Sequence, residues 1–452
     1  MTFVPATLIL PLSPPHNGVP LELEVVAEAG EIHARGDRGG AQSPSAFVAT
    51  RGGHQRYDLL PGRSIGLPTE VWWKVIDFVA DDIWHTETGG NQLRELARVN
   101  QACHTRCRVR AEERLDVIDR DKKEVYRLIR RLDEHPDRYG RIKTVRFVNG
   151  KISTFGSLAI LMAGKLPNVE MLELKSGSLT WFHCDWEPGQ LHSRIFLHVR
   201  AAFESVTTLH LFWILFPSAA VFGRLIHALP RLGSLTCNGV RFKNPSVMPG
   251  PVASPLRLAT VGLFESPDVV DFLVQSGPGA FFLHQVVVGP QRGKGSRLVT
   301  VAAHSLSSFH LRIDWSIAQD LNDLDLGLLP DLTPAQNLCA LSVSISSISF
   351  SPQWLERALP RASLPNLREL EISVDLQGDD QRRSNFDEFD DDSYVHIDGV
   401  LSGPLFPTLQ KITFCLQCCV TPSEVMSVTS EVSWRTHFSS KLPLLHASGR
   451  LL

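Results

Sequence analysis

Apolar residues take a helical pattern early in the chain and a strand pattern later. Residues 1–63 mix Pro, Gly, Ser and His without either period, so we expect a flexible leader there. From Leu67 the apolar positions recur three or four residues apart, through Val71, Val75 and Val79 and through Trp72, Ile76 and Val79. Pro68 suits a first helical turn. This pattern predicts one amphipathic helix.

Two further helices are predicted before residue 135. Asp81 to Asn91 carries charges and a Gly pair and is typical of a loop, after which apolar residues resume helical spacing up to Cys103. Ala111 to Leu132 is rich in Arg, Glu and Asp and has one apolar stripe, which favours a third helix. We therefore expect a small helical domain over residues 64–135.

Beyond Arg141 the pattern changes to short segments in which alternate positions are apolar or small, as in strands. Ten segments share it: Ile142–Phe147, Val169–Leu174, Val206–Leu211, Leu232–Cys237, Leu256–Val261, Phe281–Val286, Leu306–Leu311, Leu338–Val343, Leu367–Ile372 and Leu409–Phe414. Successive starts lie between 24 residues (232 to 256) and 42 residues (367 to 409) apart. These spacings scatter around the roughly 20–29 residues of a leucine-rich repeat.

Several linkers between these segments have helical spacing: Leu158–Leu166, Ala220–Leu229, Val269–Val274 and Gln353–Leu359. A unit of strand, turn, helix and turn buries its faces only when copies stack. The fold class predicted is α/β, with an irregular leucine-rich-repeat solenoid over residues 141–417, a parallel sheet, outer helices, and a cap or tail over 418–452. Equivalent core positions are predicted for Leu172, Leu209, Leu341 and Leu370.

Composition and charge narrow the possible partners. The chain has 452 residues, 43% of them hydrophobic and 21% charged, which is ordinary for globular proteins but too long for one compact core. A formal net charge of -3 gives no long-range field that would gather nucleic acid or anionic lipid. The eight cysteines are scattered, which favours reduced thiols. Prolines interrupt the apolar stretch at the start of the chain, which argues against a signal peptide. We expect a soluble intracellular protein with no nucleic-acid or membrane partner.

Candidate chemistry is sparse along the chain. The clusters Cys103-His104-Thr105-Arg106-Cys107 and Cys415-Leu416-Gln417-Cys418-Cys419 each lack the second ligand pair that a zinc site needs. The segment from Gly289 to Ser296 lacks the glycine spacing of a phosphate-binding loop. We expect no metal, no cofactor and no catalytic residue, although an enzyme site assembled from distant residues stays open.

Two charged stretches invite a binding interpretation. The arginines between Arg106 and Arg131 alternate with acidic residues, so intrahelical charge pairs are a simpler account than nucleic-acid binding. The acidic insertion from Gly378 to Ser393 falls in the longest gap between strands. It is either a specificity element for a basic target or a solvated loop.

The helical region has a family resemblance. The segment Leu67-Pro68-Thr69-Glu70-Val71-Trp72-Trp73-Lys74-Val75-Ile76-Asp77-Phe78-Val79 resembles the opening of the F-box motif, and Leu96 to Cys103 resembles its second half. The layout, a helical module before degenerate leucine-rich repeats, is similar to that of F-box-like proteins of basidiomycete fungi. The sequence departs from the family pattern in a longer loop from Asp81 to Gln92, and in His104-Thr105-Arg106 where the family often has Trp or Phe.

The resemblance implies a function without chemistry of its own. An F-box protein is the substrate-recognition subunit of a Skp-cullin-F-box ubiquitin ligase, in the cytoplasm or nucleus, and binds a Skp-type adaptor that bridges to a cullin. The protein target is not indicated by the sequence. Carried over by position, the adaptor contacts would be Leu67, Pro68, Val71, Trp72, Ile76 and Val79, with Leu93, Leu96 and Val99 as contact or core residues.

A different function class fits the same pattern. The end of a repeat array must cover its exposed apolar edge, and the N-terminal helices of a non-catalytic leucine-rich scaffold could do only that. Co-purification with the adaptor distinguishes the two.

Overall fold

The structure is a computed structural model that describes residues 68–83, 89–148, 152–176, 184–185, 194–246, 256–276, 281–289, 294–314, 330–346, 364–376, 391–418 and 431–451. It begins with three helices, α1 (Thr69–Ile83), α2 (Gly89–Ala97) and α3 (Gln101–Glu112). Asn100 caps α3, because its side chain accepts a hydrogen bond of 2.8 Å from the Cys103 backbone N–H. The predicted leader, residues 1–63, lies outside the described residues.

These three helices form what we call the N-terminal module, which has a small core of its own. Ile76, Cys103 and Cys107 are buried there, and four partly buried side chains pack against them: Trp72, Leu93, Leu96 and Ala97. This cluster is separate from the main core of the protein.

The expected third helix, Ala111–Leu132, is wrong in its first half. That stretch contains strand β1 (Arg114–Ile118) and then helix α4 (Lys122–Asp133). Leu115 and Val117 alternate along β1 and are buried, and the helix starts only at the capping box formed by Asp121 and Glu124. The sheet therefore begins within the region predicted as a helical domain.

Eleven of the described strands form one parallel sheet, in the order β1-β2-β3-β5-β7-β9-β10-β11-β12-β13-β14. Their bounds after β1 are β2 (Thr144–Val148), β3 (Met171–Lys175), β5 (Thr208–Phe212), β7 (Ser234–Asn238), β9 (Thr260–Phe264), β10 (Gln285–Val288), β11 (Ser308–Asp314), β12 (Ala340–Ser346), β13 (Glu369–Leu376) and β14 (Lys411–Cys418). Strands β4 (Cys184–Asp185), β6 (Ile214–Ser218) and β8 (Arg241–Asn244) form a small second parallel sheet.

The ten predicted strand segments are all confirmed as strands of the large sheet, with later starts. Each strand begins two or four residues after the segment does, for example at Met171 instead of Val169. The difference has a physical reason. The residues before each strand form a turn with a buried apolar side chain, and two successive N–H groups donate to one carbonyl of the preceding turn, as Glu170 and Met171 do to Lys143.

Two apolar rows run across the sheet on one face. The first joins Leu115, Val145, Leu172, Leu209, Leu235, Val261, Val286, Phe309, Leu341, Leu370 and Ile412, all buried. It contains the four leucines expected at equivalent positions, so that prediction is confirmed. The second row lies two residues further along each strand. The fold is thus a repeating, solenoid-like α/β array.

Helices cover the apolar face. They are α4, α5 (Ile152–Met162), α6 (Ile195–Ala202), α7 (Ala219–His227), α8 (Pro267–Gln275) and α9 (Lys294–Ala302), whose inner side chains join the main core. Three predicted helical linkers correspond to α5, α7 and α8, while Gln353–Leu359 lies outside the described residues. Within the part of the chain that the structure describes, every helix is too short or too polar to cross a membrane.

The C-terminal residues cover the last strand. Helices α10 (Asp391–Ser402), α11 (Glu431–Lys441) and α12 (Pro443–Ala447) pack together. The buried carboxylate of Asp398 accepts the first N–H groups of α12, from Leu444 at 2.8 Å and Leu445 at 3.0 Å. Leu451 then pairs beside Ile412, so that part of the edge of β14 has a backbone partner.

Candidate functional site

Helix α1 has two apolar faces. One face closes the core of the N-terminal module through Ile76 and Ala80. The other carries what we call the outer stripe, Val71, Val75 and Phe78, which are 39%, 36% and 47% exposed. Positions spaced by four and three residues lie on one side of a helix, so the outer stripe is a continuous apolar surface.

The predicted adaptor contacts fall into three groups. Pro68, Val71 and Val99 are exposed, and Trp72, Val79, Leu93 and Leu96 are partly buried. Ile76 is fully buried in the core of the module, so it cannot touch another protein without unfolding that core. Leu67 lies outside the described residues.

Sequence reasoning missed two residues of the outer stripe, Val75 and Phe78, as contacts. A signal for them was present in the chain, because apolar residues occur both at 71, 75 and 78 and at 72, 76 and 79. Only one of these two series can face the core of a small three-helix module. The sequence does not show which.

The junction between the module and the sheet is short and ionic. Helix α3 ends at Glu112 and β1 starts at Arg114. Glu113, between them, accepts from Arg110 at 2.5 Å and from Lys143 at 2.8 Å. On the module side, Asp77 of α1 accepts from Arg106 at 2.8 Å, and this hydrogen bond raises the pKa of the Arg106 guanidinium. Ion pairs thus link α1, α3 and the first turn of the array.

Glu112 makes a second link at the junction. Burial by itself would raise the pKa of Glu112, but hydrogen bonds from Arg108 at 2.9 Å and Arg141 at 2.5 Å outweigh burial and hold it below the ordinary value. The carboxylate is therefore charged at neutral pH.

A groove of about 620 Å³ lies beside this junction. It runs from α3 along the turns that precede the first strands, and its charged residues are of both signs: Glu113, Arg141, Lys143, Glu170 and Arg231. Mixed charge gives it no preference for an anionic or a cationic ligand.

We call the sheet face opposite the helices the open face. Near its start it holds a buried ion pair, in which Arg146 donates to Glu173 at 2.8 Å. Near its end, His310 Nε2 lies 3.0 Å from Ser344 Oγ. Burial lowers the pKa of His310 despite the nearby Glu371 carboxylate, and burial raises the pKa of the Cys415 thiol. These shifts favour a neutral imidazole and a protonated thiol.

The cysteine cluster of the module is structural in character. Cys103 and Cys107 are free and buried, and burial raises the pKa of the Cys107 thiol, which lowers its reactivity. Among the described residues, no group of three or more His, Cys, Asp or Glu side chains is arranged to hold a metal ion. The second cysteine cluster falls only partly within the described residues.

Comparison with known proteins gave little further information. No family model and no curated protein sequence matches the chain. Among solved structures, it is similar to a chain of the Rad7 and Elc1 complex in yeast, with 12% sequence identity over 76% of this chain and 88% of that chain. The TM-score is 0.28, which does not establish a shared fold.

Proposed function

We propose that the protein is the substrate-recognition subunit of a Skp-cullin-F-box ubiquitin ligase. The N-terminal module binds a Skp-type adaptor through the outer stripe of α1, and the repeat array, of leucine-rich-repeat type, binds a protein target. The chain itself performs no chemistry. A separate enzyme modifies the target that the array holds.

The outer stripe is the observation that carries this proposal. A three-helix module with its own core does not need Val71, Val75 and Phe78 for folding, because Ile76 and its neighbours already fill that core. Exposed apolar residues in a continuous row are characteristic of protein-binding sites. The row lies on the segment whose sequence resembles the opening of the F-box.

The junction bears on the alternative scaffold function. A helical cap on a repeat array would bury apolar surface against the edge strand. The module instead has a core separate from that of the array, and the side-chain links at the junction are ion pairs at Glu112 and Glu113. This arrangement supports a module that has a binding role of its own.

Target recognition belongs to the open face in this proposal. Its last strands present exposed charged residues of both signs, namely Arg312, Glu369, Glu371 and Lys411. The acidic insertion, 378–393, is proposed as an additional specificity element, and most of it lies outside the described residues. Deleting 381–392 should then change the set of proteins recovered with the chain.

Replacing apolar side chains of the outer stripe with charged ones tests adaptor binding. The double variant Val75→Asp/Phe78→Asp places two charges in the proposed apolar interface, and we expect at least a hundredfold loss of affinity for a purified Skp-type adaptor, on the order of 3 kcal/mol. Isothermal titration calorimetry measures the affinity. The matched control is Val395→Asp on α10, which is 68% exposed and far along the chain from the module.

The result must separate lost binding from lost folding. Both Val75 and Phe78 are partly exposed, so the far-UV circular dichroism and the thermal transition should match those of the wild type. Unchanged adaptor affinity in a folded double variant would contradict the proposal. No adaptor binding by the wild type, together with a stable monomeric array, would favour the scaffold function.

A further inference from the structure

The helical side of the first repeats differs in charge from the protein as a whole. Helices α4, α5, α6 and α7 lie side by side, each with its inner face in the main core. Helices α5, α6 and α7 contain no Asp or Glu. Exposed cations occur at Arg200 on α6 and at Arg224 on α7. This side is therefore positive although the chain carries a formal net charge of -3.

Helix α4 supplies most of the positive charge. Its exposed face carries Lys123, Arg127, Arg130 and Arg131. Three of the four acidic residues beside them are already engaged: Asp121 and Glu124 form the capping box, and Asp133 accepts from Lys165 at 2.6 Å. The fourth, Glu134, is exposed at the end of the helix. Within the described ranges, these four cations form no ion pair.

The sequence prediction of intrahelical pairs therefore holds for only part of the basic stretch. On α3, Arg108 pairs with Glu112, and Arg110 pairs with Glu113 just beyond the end of the helix. On α4 three of the four acidic neighbours are used elsewhere, so most of the positive charge stays available.

Two exposed aliphatic side chains lie between the cations. Ile160 on α5 is 47% exposed and Leu197 on α6 is 67% exposed, and both are opposite the buried side of their helix. We call this area, from α4 to α7, the cationic surface. An apolar centre with a charged margin is the usual composition of a protein interface.

One segment of the same chain has the complementary composition. Residues 386–392 read Phe-Asp-Glu-Phe-Asp-Asp-Asp, with two aromatic side chains among five carboxylates. We propose that this acidic segment binds the cationic surface of a second copy of the chain. Its carboxylates would pair with the arginines of α4, and its phenylalanines would cover Ile160 and Leu197.

Distance excludes the same contact within one molecule. Phe386 is five residues before Asp391, where α10 starts, so it reaches at most about 17 Å from that point. Ile160 and Leu197 precede β3 and β5, the third and fourth strands of the sheet, whereas β13 is the tenth. Six strand spacings amount to about 29 Å. The partner must therefore be another molecule.

A contact between two different surfaces is heterologous, so it joins molecules head to tail. The resulting assembly should grow with concentration and dissociate as salt screens the charges. It leaves the outer stripe of α1 and the open face free, and it does not depend on the adaptor. It does occupy the acidic insertion, so a bound target and a second copy would compete for that segment.

A charge exchange tests the proposal with full-length chains. The first variant is Arg127→Glu/Arg130→Glu/Arg131→Glu, and the second is Asp387→Lys/Glu388→Lys/Asp390→Lys. We expect the wild type to associate in sedimentation velocity at low salt and each variant alone to weaken association at least about tenfold. An equimolar mixture of the two should associate again, because each variant then complements the other. The charge-matched control, Arg257→Glu/Arg297→Glu/Arg368→Glu, alters exposed cations of later repeats and should behave like the wild type.

The wild type, the first variant and the control also show whether the cationic surface binds the acidic segment or a different ligand. A fluorescent peptide of residues 384–393 should bind the wild type and the control but not the first variant. A wild type that stays monomeric at low salt, or a mixture that fails to associate, would overturn the proposal. So would loss, in the first variant, of binding to single-stranded DNA or to phosphatidylserine vesicles without any change in self-association.

Discussion

The N-terminal module and the repeat array bury their apolar residues in very different ways. In the array, rows such as the one through Leu172 and Leu209 run across the whole sheet, and each side chain is held by neighbours from two repeats. Among its described residues the module buries only four apolar side chains, Ile76, Ala80, Cys103 and Cys107. Stability is thus concentrated in the array, while the exposed apolar surface of α1 belongs to the part with the smaller core.

The largest expected effect separates the two cores directly. Leu209→Ala should lower the free energy of unfolding of the array by about 3–4 kcal/mol, because a cavity opens in a continuous row. Ile76→Ala removes similar volume from the module and should abolish adaptor binding while leaving the main thermal transition in place. Differential scanning calorimetry and adaptor titration measure both. If both variants instead lower the midpoint of the same single thermal transition, the module and the array unfold as one cooperative unit.

A glycine packed against an aromatic ring tests how tightly the array is packed. At Gly239 φ is +65°, and a Cβ would lie 2.2 Å from Cε3 of Trp213. Gly239→Ala should cost about 3 kcal/mol, from backbone strain plus displacement of the ring. Gly164, with φ of +74° and open space around it, is the matched control. Gly164→Ala should cost only about 1 kcal/mol in chemical denaturation. Equal effects would show that the ring moves freely.

The C-terminal helices depend on one buried carboxylate. Asp398→Ala leaves the N–H groups of Leu444 and Leu445 without their acceptor and should destabilise α12 by about 2 kcal/mol. Asp398→Asn keeps one acceptor oxygen and should therefore destabilise α12 less than Asp398→Ala does. Limited proteolysis after residue 441 reports the change. Equal cleavage of all three proteins would refute this role for Asp398.

The smallest effect concerns the junction and depends on pH. The pKa of Glu112 is held below its ordinary value, so its stabilising contribution is present above the ordinary carboxyl pKa and disappears as pH falls through the lowered one. Arg141→Ala should cost about 0.5 kcal/mol at neutral pH, because Arg141 is half exposed. The difference from the wild type should shrink as pH falls below the ordinary carboxyl pKa and vanish once Glu112 is protonated. A constant difference across this range would exclude the ion pair as its source.

The sequence predicted the array better than the site. The alternation of apolar residues every second position located ten strands. Because this two-residue period recurs ten times, a helix or a loop is a poor alternative interpretation. Strand β1 was missed because it lies among Arg, Glu and Asp, where Leu115 and Ile118, three residues apart, also fit a helical stripe.

The contact residues of α1 could not be settled from the sequence for a related reason. Two apolar series are offset by one residue, and only packing against α2 and α3 determines that Ile76 faces inward and Phe78 outward. Likewise, the free cations of α4 depend on which acids are used by caps and turns. Charge counting along the sequence treats α3 and α4 alike.

Hydrogen–deuterium exchange of the full chain, with and without a purified Skp-type adaptor, tests the central claim most directly. If the module binds the adaptor through α1, peptides covering 68–83 should gain protection on binding, and peptides from the strands of the array should not change. Absence of protection in α1 at saturating adaptor, or protection confined to the sheet, would contradict the account.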